Sequence, residues 1–369
     1  MNIVDSGVLF EGNAVNAKIL AFPNLCRTSN GEIIATFQCG REKNHASSKV
    51  LTMRSLDNGR TWNAPVDPFG TWATENGYAV HVSYLSEISP GKLFASLMVC
   101  DHKGDSSLPF FNPNTGGALP MYVGLAESDD NGYTWRRPRL LPTGRFNDVP
   151  TPIMAPITKG ANGRLLLPFE TSKNYYDIEP WHHHAACLVS PDGGNTWPEV
   201  ITIANDPEAR YLYWDHRMTS LGDNRIADFF WTHDSTLNQD DDVHMSISRD
   251  GGISWPLKPS STGIVGQVTC PISINENSII IVTVDRFKDK AIKVYMSHDL
   301  GVNWREELVI YRHEVPDKAS SCLNDNLAEM QYWSFGLPFG IKINSAEILV
   351  VWYCGSPEKT HIRWAVVAL

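Results

Sequence analysis

Glu170, Asp215 and Asp148 are the carboxylates of this 369-residue chain placed best for acid–base chemistry. Glu170 follows an apolar run, Leu165-Leu-Leu-Pro-Phe169, and a carboxyl in apolar surroundings resists ionisation, as a general acid must. Asp215 sits in Trp214-Asp-His-Arg217 and Asp148 in Asn147-Asp-Val-Pro150. Cleaving a glycosidic bond takes two carboxyl groups flanking it, about 5 to 10 Å apart depending on the stereochemical outcome. Trp214, Trp231 and Trp333 offer broad faces for sugar rings. Arg41, Arg217, His233, Asp234, Gln267, Asp285, Arg286 and Tyr332 supply polar groups for binding substrate. The plainer use of each carboxylate is to pair with Arg217 or Arg286 and brace a loop.

Histidines carry the competing chemistry. His182-His183-His184 precedes a strand-like run, and His216, His233 and His244 follow. A strand-edge triplet alternates faces, so at most two of the three point one way. No recognised metal-ligand spacing appears, and no metal or other cofactor is expected. A histidine acting with Tyr175 or Tyr176 could abstract a proton α to a uronate carboxyl, with Arg41, Arg217 or Arg286 neutralising the uronate. That is lyase chemistry.

The elements that position these residues come from a repeat. The pattern Ser-x-Asp-x-Gly-x-(Thr/Ser/Asn)-Trp occurs five times, at Ser55–Trp62, Ser128–Trp135, Ser190–Trp197, Ser248–Trp255 and Ser297–Trp304. Its Asp can tie down following backbone N–H groups, its Gly supplies positive φ, and its Trp packs between sheets. Copies lie 49 to 73 residues apart, a propeller-type period. Before each copy runs a strand, a Gly- or Asn-marked turn, a second apolar strand, a variable loop and a third strand. A sixth unit from Ile341 to Val351 lacks the pattern. Four-stranded units hide their edges by closing into a ring. Residues 1–369 therefore read as one all-β domain, a six-bladed β-propeller of four-stranded antiparallel blades, closed by pairing Ile3–Phe10 with the C-terminal strand. The octapeptides then mark one end of the axis, and the candidate residues above fall in loops at the other.

Five such octapeptides in phase with strand triplets resemble the Asp-box repeats of sialidases and their relatives, over nearly the whole chain. The resemblance implies a carbohydrate pocket at the loop-rich mouth, with the boxes as structural turns far from it. Sialidases open blade one with Arg-Ile-Pro; here Ala21-Phe22-Pro23 stands there. Gly40-Arg41 matches the family's Gly-Arg, yet Glu42 to Ser48 contain no Asp for the family's acid/base role. Gln267 occupies a slot where the family places a carboxylate-binding arginine, and Tyr332 aligns with its catalytic tyrosine. With the arginine triad incomplete, the expectation is a glycoside hydrolase acting on a non-sialic sugar, as exo-arabinanases of this superfamily do. A uronate lyase and a non-catalytic glycan-binding propeller are the alternatives.

Composition narrows the partners. A formal charge of −10 and a pI near 5.6 disfavour nucleic acid and anionic membrane surfaces, which need clustered Lys and Arg. No run of about 18 apolar residues predicts a membrane helix. The expected partner is an oligosaccharide or glycoside. Seven scattered cysteines without a CxxC pair, several in apolar runs (Cys26, Cys100, Cys187, Cys354), read as reduced core thiols. With no basic-then-apolar leader at Met1, they point to the cytoplasm.

Overall fold

The repeated octapeptides close turns between third and fourth strands. In Ser190–Trp197, the Asp192 carboxylate accepts from the Thr196 N–H (2.9 Å) and hydroxyl (2.7 Å). The Ser190 hydroxyl oxygen accepts the Gly194 N–H at 2.7 Å. Gly194 has φ +95°, and a Cβ there would run into the Phe94 ring of the neighbouring blade. Trp197 donates its indole N–H back to Gly194 O at 3.1 Å and is buried. The equivalent Trp62, Trp135, Trp255 and Trp304 are only half-buried.

The computed structural model describes residues 1–15, 17–256, 258–315, 327 and 329–369. These form six antiparallel sheets around one axis. Blade one comprises Ile19–Arg27, Ile33–Gly40 and Lys49–Ser55, with a Thr52–Val66 bridge in place of a full fourth strand. Blade two comprises Ala79–Ser89, Lys92–Cys100, Met121–Ser128 and Arg139–Leu140. Blade three comprises Thr158–Lys159, Leu165–Glu170, Ala185–Ser190 and Glu199–Ala204. Blade four runs Tyr211–Gly222, Arg225–Asp234, His244–Ser248 and Ser260–Ser261, with Gln239–Asp240 added beside Arg225–Asp234. Thr269–Ser273, Ile279–Asp285, Ala291–Ser297 and Arg305–Arg312 make blade five. Gly336–Lys342, Glu347–Ser356 and Lys359–Ala368 make blade six, completed by Asn2–Phe10 lying antiparallel to Lys359–Ala368. The ring thus closes by joining the two ends of the chain, as the sequence predicts.

Second strands such as Ile279–Asp285 are buried along their whole length, because blades cover them on both faces. First strands face the axis, and four carry a register shift: Ala21/Asn24, Val80/Val82, Trp214/Arg217 and Gly336/Phe339. In three of them the bulged residue has positive φ: Phe22 (+55°), Asp215 (+48°) and Leu337 (+39°). Bulges re-aim side chains, and all three of these line the axial pocket. Cys26, Cys39, Cys100, Cys187, Cys270 and Cys354 are buried free thiols; Cys322 lies outside the described residues.

Candidate functional site

Strand parity delivers the first carboxyl. In Leu165–Glu170, residues 165, 167 and 169 face one core, while Leu166 packs toward blade four. Glu170 shares the parity of Leu166, so it too faces blade four. There the Asp215 N–H, freed from ladder pairing by the bulge, donates to Glu170 Oε2 at 2.9 Å. The blades are held in this register by His216. Its Nδ1 lies 2.7 Å from Asp228 Oδ2 and its Nε2 3.0 Å from Phe169 O. With Asp228 ionised both neighbours are acceptors and the ring donates from both nitrogens, although burial raises the Asp228 pKa as well. Burial opposes the charge of such a ring, but the Asp228 carboxylate outweighs it and the His216 pKa is raised.

Glu170 and Asp215 open into a pocket of about 110 Å³ on the axis, at the end opposite the octapeptides. Their charged company there is Arg286; most of the remaining lining is aromatic or aliphatic. A chain of indoles forms one wall. Ring centroids of Trp181 and Trp214 are 6.2 Å apart, those of Trp214 and Trp231 5.0 Å, and those of Trp231 and Trp333 6.0 Å. The Arg286 guanidinium carbon sits 4.3 Å from the Trp333 ring centre. Gly336 makes room for it, since a Cβ there would collide with the guanidinium. Arg286 Nη1 donates to Phe335 O, while Nε and Nη2 are buried with no partner among the described residues.

Burial, then the neighbouring Asp215 carboxylate, raise the Glu170 pKa well above the usual range, although the Asp215 N–H works the other way. Burial also raises Asp215, against Arg217, Arg286 and His216, which all favour its charged form. The two carboxyls titrate as a coupled pair. Three cations favour the charged form of Asp215, so of the two carboxyls Glu170 keeps its proton to the higher pH. One protonated and one ionised carboxyl in a single cleft is the division of labour that acid–base chemistry needs. His183 stands behind Glu170 (Nε2 to Oε2, 3.8 Å). Its ring nitrogens lie 3.0 Å from Thr171 O and 2.8 Å from Tyr213 O, and burial pushes its pKa down to about 3. It is neutral, so its one N–H bonds only one of these two carbonyl oxygens.

Of the residues singled out from the sequence, Glu170, Asp215, Arg286, Trp214, Trp231 and Trp333 line this pocket. The other eight stand outside its lining. Asp148 is exposed, on a loop whose backbone oxygen at Asp148 accepts from Asn174 Nδ2 at 3.0 Å. Arg41 is exposed beyond the end of its strand. Arg217 lies past the bulge, beneath the floor, donating from Nη1 to Pro338 O at 2.8 Å. His233 stacks behind Trp214 (5.5 Å between ring centres, 19°) and meets Asp240 at 3.0 Å. Asp234 is paired with Arg210 at 2.8 Å and accepts from the Thr236 N–H in its turn. Gln267 accepts the Arg286 N–H at 3.0 Å, so it positions the arginine. Asp285 is taken up by Lys293 at 3.2 Å. Tyr332 is exposed, in the short turn Met330–Tyr332.

Sequence reasoning passed over Lys43, Asn44, Tyr84 and Trp181. Tyr84, Asn44 and Trp181 line the pocket. Lys43 is buried, donating to Trp333 O and, at 3.1 Å, to the Tyr353 hydroxyl. Glu42 to Ser48 contains no Asp, but it supplies a cation, Lys43, and an amide, Asn44. Trp181 lies among loop residues with no periodic signal.

Comparison with known proteins agrees with this architecture. The family model described as BNR repeat-like domain matches residues 70–332. A sialidase of Bacteroides fragilis is 25% identical over 214 residues, covering 50% of this chain and 37% of that protein; the chain thus spans well under half of that relative. Among solved structures, a protein of unknown function from Dyadobacter fermentans superposes with a TM-score of 0.76 at 18% identity, covering 100% of this chain and 99% of the other. The intramolecular trans-sialidase of Ruminococcus gnavus superposes with a TM-score of 0.68 at 13% identity, over 100% and 98%. At these identities the superpositions speak for the fold alone. The family match covers most of the chain, so it belongs to the BNR repeat-like family, within the sialidase-like superfamily of six-bladed propellers.

Proposed function

We propose that this propeller is a glycoside hydrolase acting on a non-sialic sugar, with Glu170 as general acid and Asp215 as its carboxylate partner. The observation that carries this reading is the coupled pair itself. Two carboxyls from adjacent blades meet in an aromatic pocket, one pushed toward its protonated form by burial and its neighbour, the other under the influence of Arg217, Arg286 and His216. Glu170 would protonate the departing glycosidic oxygen. Asp215 would either attack the anomeric carbon or activate water, according to its distance from Glu170 across the bound sugar. The indole wall supplies apolar faces for the ring.

Blade one argues against a sialic acid substrate, because Ala21 stands where the sialidase Arg-Ile-Pro carries its arginine, and the next residue, Phe22, brings apolar surface to the pocket. The lyase reading draws less support from the geometry. His183 is buried between two carbonyl oxygens and is absent from the pocket lining, and Tyr175 and Tyr176 are not among the residues lining the pocket. The test is turnover of a panel of aryl glycosides and oligosaccharides. Release of reducing sugar, lost in Glu170→Gln, supports the hydrolase. Unsaturated uronate products would support the lyase instead, and saturable binding without turnover across the panel a non-catalytic glycan-binding propeller.

A further inference from the structure

We propose that His81, Cys100 and His102 of blade two form a binding site for a soft divalent metal ion of the zinc type, separate from the Glu170–Asp215 pair. His81 is the bulged residue between Val80 and Val82 of the axis-facing strand. Cys100 ends the adjacent strand, and His102 follows two positions later, a spacing that returns side chains to one side of an extended chain. The sequence shows no recognised ligand spacing because the third donor comes from a different strand, 19 residues before Cys100.

The geometry suits a tetrahedral ion. His81 Nε2 and His102 Nε2 are 3.3 Å apart, and the three ligand atoms, Cys100 Sγ included, all lie within 4.8 Å of one another. Zinc–nitrogen bonds of about 2.0–2.1 Å at a tetrahedral angle put two nitrogens roughly 3.3–3.4 Å apart. All three residues are buried, at 0%, 0% and 5% exposure. Among the described residues, His102 Nδ1 is buried without a partner, as one ring nitrogen of His233 and of His244 also is, and the Cys100 thiol makes no hydrogen bond. Two imidazoles and a thiolate select zinc or copper over calcium or magnesium.

Binding would convert the Cys100 thiol to a thiolate and release one proton to solvent, leaving a fourth coordination position for water. Gln38 is the outer partner, its amide 3.0 Å from His81 Nδ1. With the metal on Nε2, that Nδ1 carries the proton and the amide must turn its oxygen to it, giving up its bonds to His81 O, Asn44 Oδ1 and the Asn44 N–H. The ion would pin the 101–120 insertion to the axis-facing strand. Phe110 of that insertion packs edge-on against His81 (5.5 Å, 67°) and also lines the axial pocket.

The test uses the full chain, stripped with a chelator under reducing conditions and titrated with cobalt(II), then zinc(II). The expected result is about one equivalent bound, a thiolate-to-cobalt charge-transfer band, strong visible bands of four-coordinate cobalt, and displacement by zinc. Cys100→Ser should abolish the charge-transfer band. His102→Gln should weaken binding by at least the 10–100-fold typical of lost outer partners. Circular dichroism shows that each variant is folded. A wild-type cobalt spectrum without the charge-transfer band overturns the assignment whatever the variants do. So does binding that persists unchanged in both folded variants. Neither readout depends on catalysis by Glu170.

Discussion

Glu170→Gln separates catalysis from bracing because it moves activity and stability in opposite directions. The amide keeps an oxygen to accept the Asp215 N–H, a bond of 2.9 Å in the parent, so register between blades three and four survives. It cannot donate a proton to a glycosidic oxygen. General acid catalysis contributes about 10²–10⁴-fold, or roughly 3–5 kcal/mol of barrier, and kcat on substrates with poor leaving groups should fall by that much. Nitrophenyl glycosides, whose leaving group needs little protonation, should be largely spared. Stability responds with the other sign. The folded pKa of Glu170 lies well above that of a free glutamate, about 4.3. Between those two values the native state holds a proton that the unfolded chain has lost, so parent stability falls as pH rises through that window. Glutamine has no such penalty. The variant should therefore gain on the parent from pH 4 upward, read as denaturant midpoints at several pH values. If Glu170 instead braces an arginine as a carboxylate, the variant keeps its turnover and loses stability most at neutral pH. That pair of results would refute the assignment.

Three further outcomes follow from the same geometry. Asp215→Asn should cost activity on all substrates, activated ones included, while folding normally, since Asn tolerates the φ of +48° at this position; an unfolded variant or full activity would contradict the role given to Asp215. Trp197→Ala should destabilise by about 3–5 kcal/mol and Trp255→Ala by less, because Trp197 is buried and bonded to Gly194 O whereas Trp255 is half-buried; equal shifts in midpoint would show that burial does not rank the repeats. Thr134, Thr196 and Asn303 hold the carboxyls of Asp130, Asp192 and Asp299 at about 2. The stability they contribute is present above the free-Asp pKa of about 3.9 and lost as pH falls through 2, so an acid titration should show Asp192→Asn less sensitive than the parent in that window.

The architecture was readable because it is written in local chemistry. Ser, Asp, Gly and Trp at fixed offsets specify a turn that few neighbours can alter, and five such turns in phase leave little choice but a ring. The ring-closing pairing of Asn2–Phe10 with Lys359–Ala368 followed from a unit one strand short. Side-chain destinations within the mouth were harder. Asp215 and Arg217 share strand parity, yet a register shift between Trp214 and Arg217 sends one into the pocket and the other beneath it. No residue type in Trp214-Asp-His-Arg217 announces that shift. Asp234 and Asp285 occupy the expected edge, but Arg210 and Lys293 claim them. Those partners come from other strands or loops, and pairing of that kind has no period to detect.

Strain at Asp215 connects the fold to the chemistry. A non-glycine residue at positive φ costs about 1–3 kcal/mol unless its surroundings hold it. Glycine would relax the backbone and remove the carboxyl. Here the same bulge that imposes φ +48° does two things: it turns the Asp215 N–H onto Glu170 and its side chain into the pocket. His216, next in sequence, ties the strained segment to Asp228 on one side and to Phe169 O, just before Glu170, on the other. The cost is offset by bonds that all converge on the Glu170–Asp215 pair. Blades one and six use the same device with Phe22 and Leu337, which bring apolar surface to the pocket instead of charge. A symmetric ring thus yields an asymmetric pocket by repeating one backbone irregularity and varying the residue it carries.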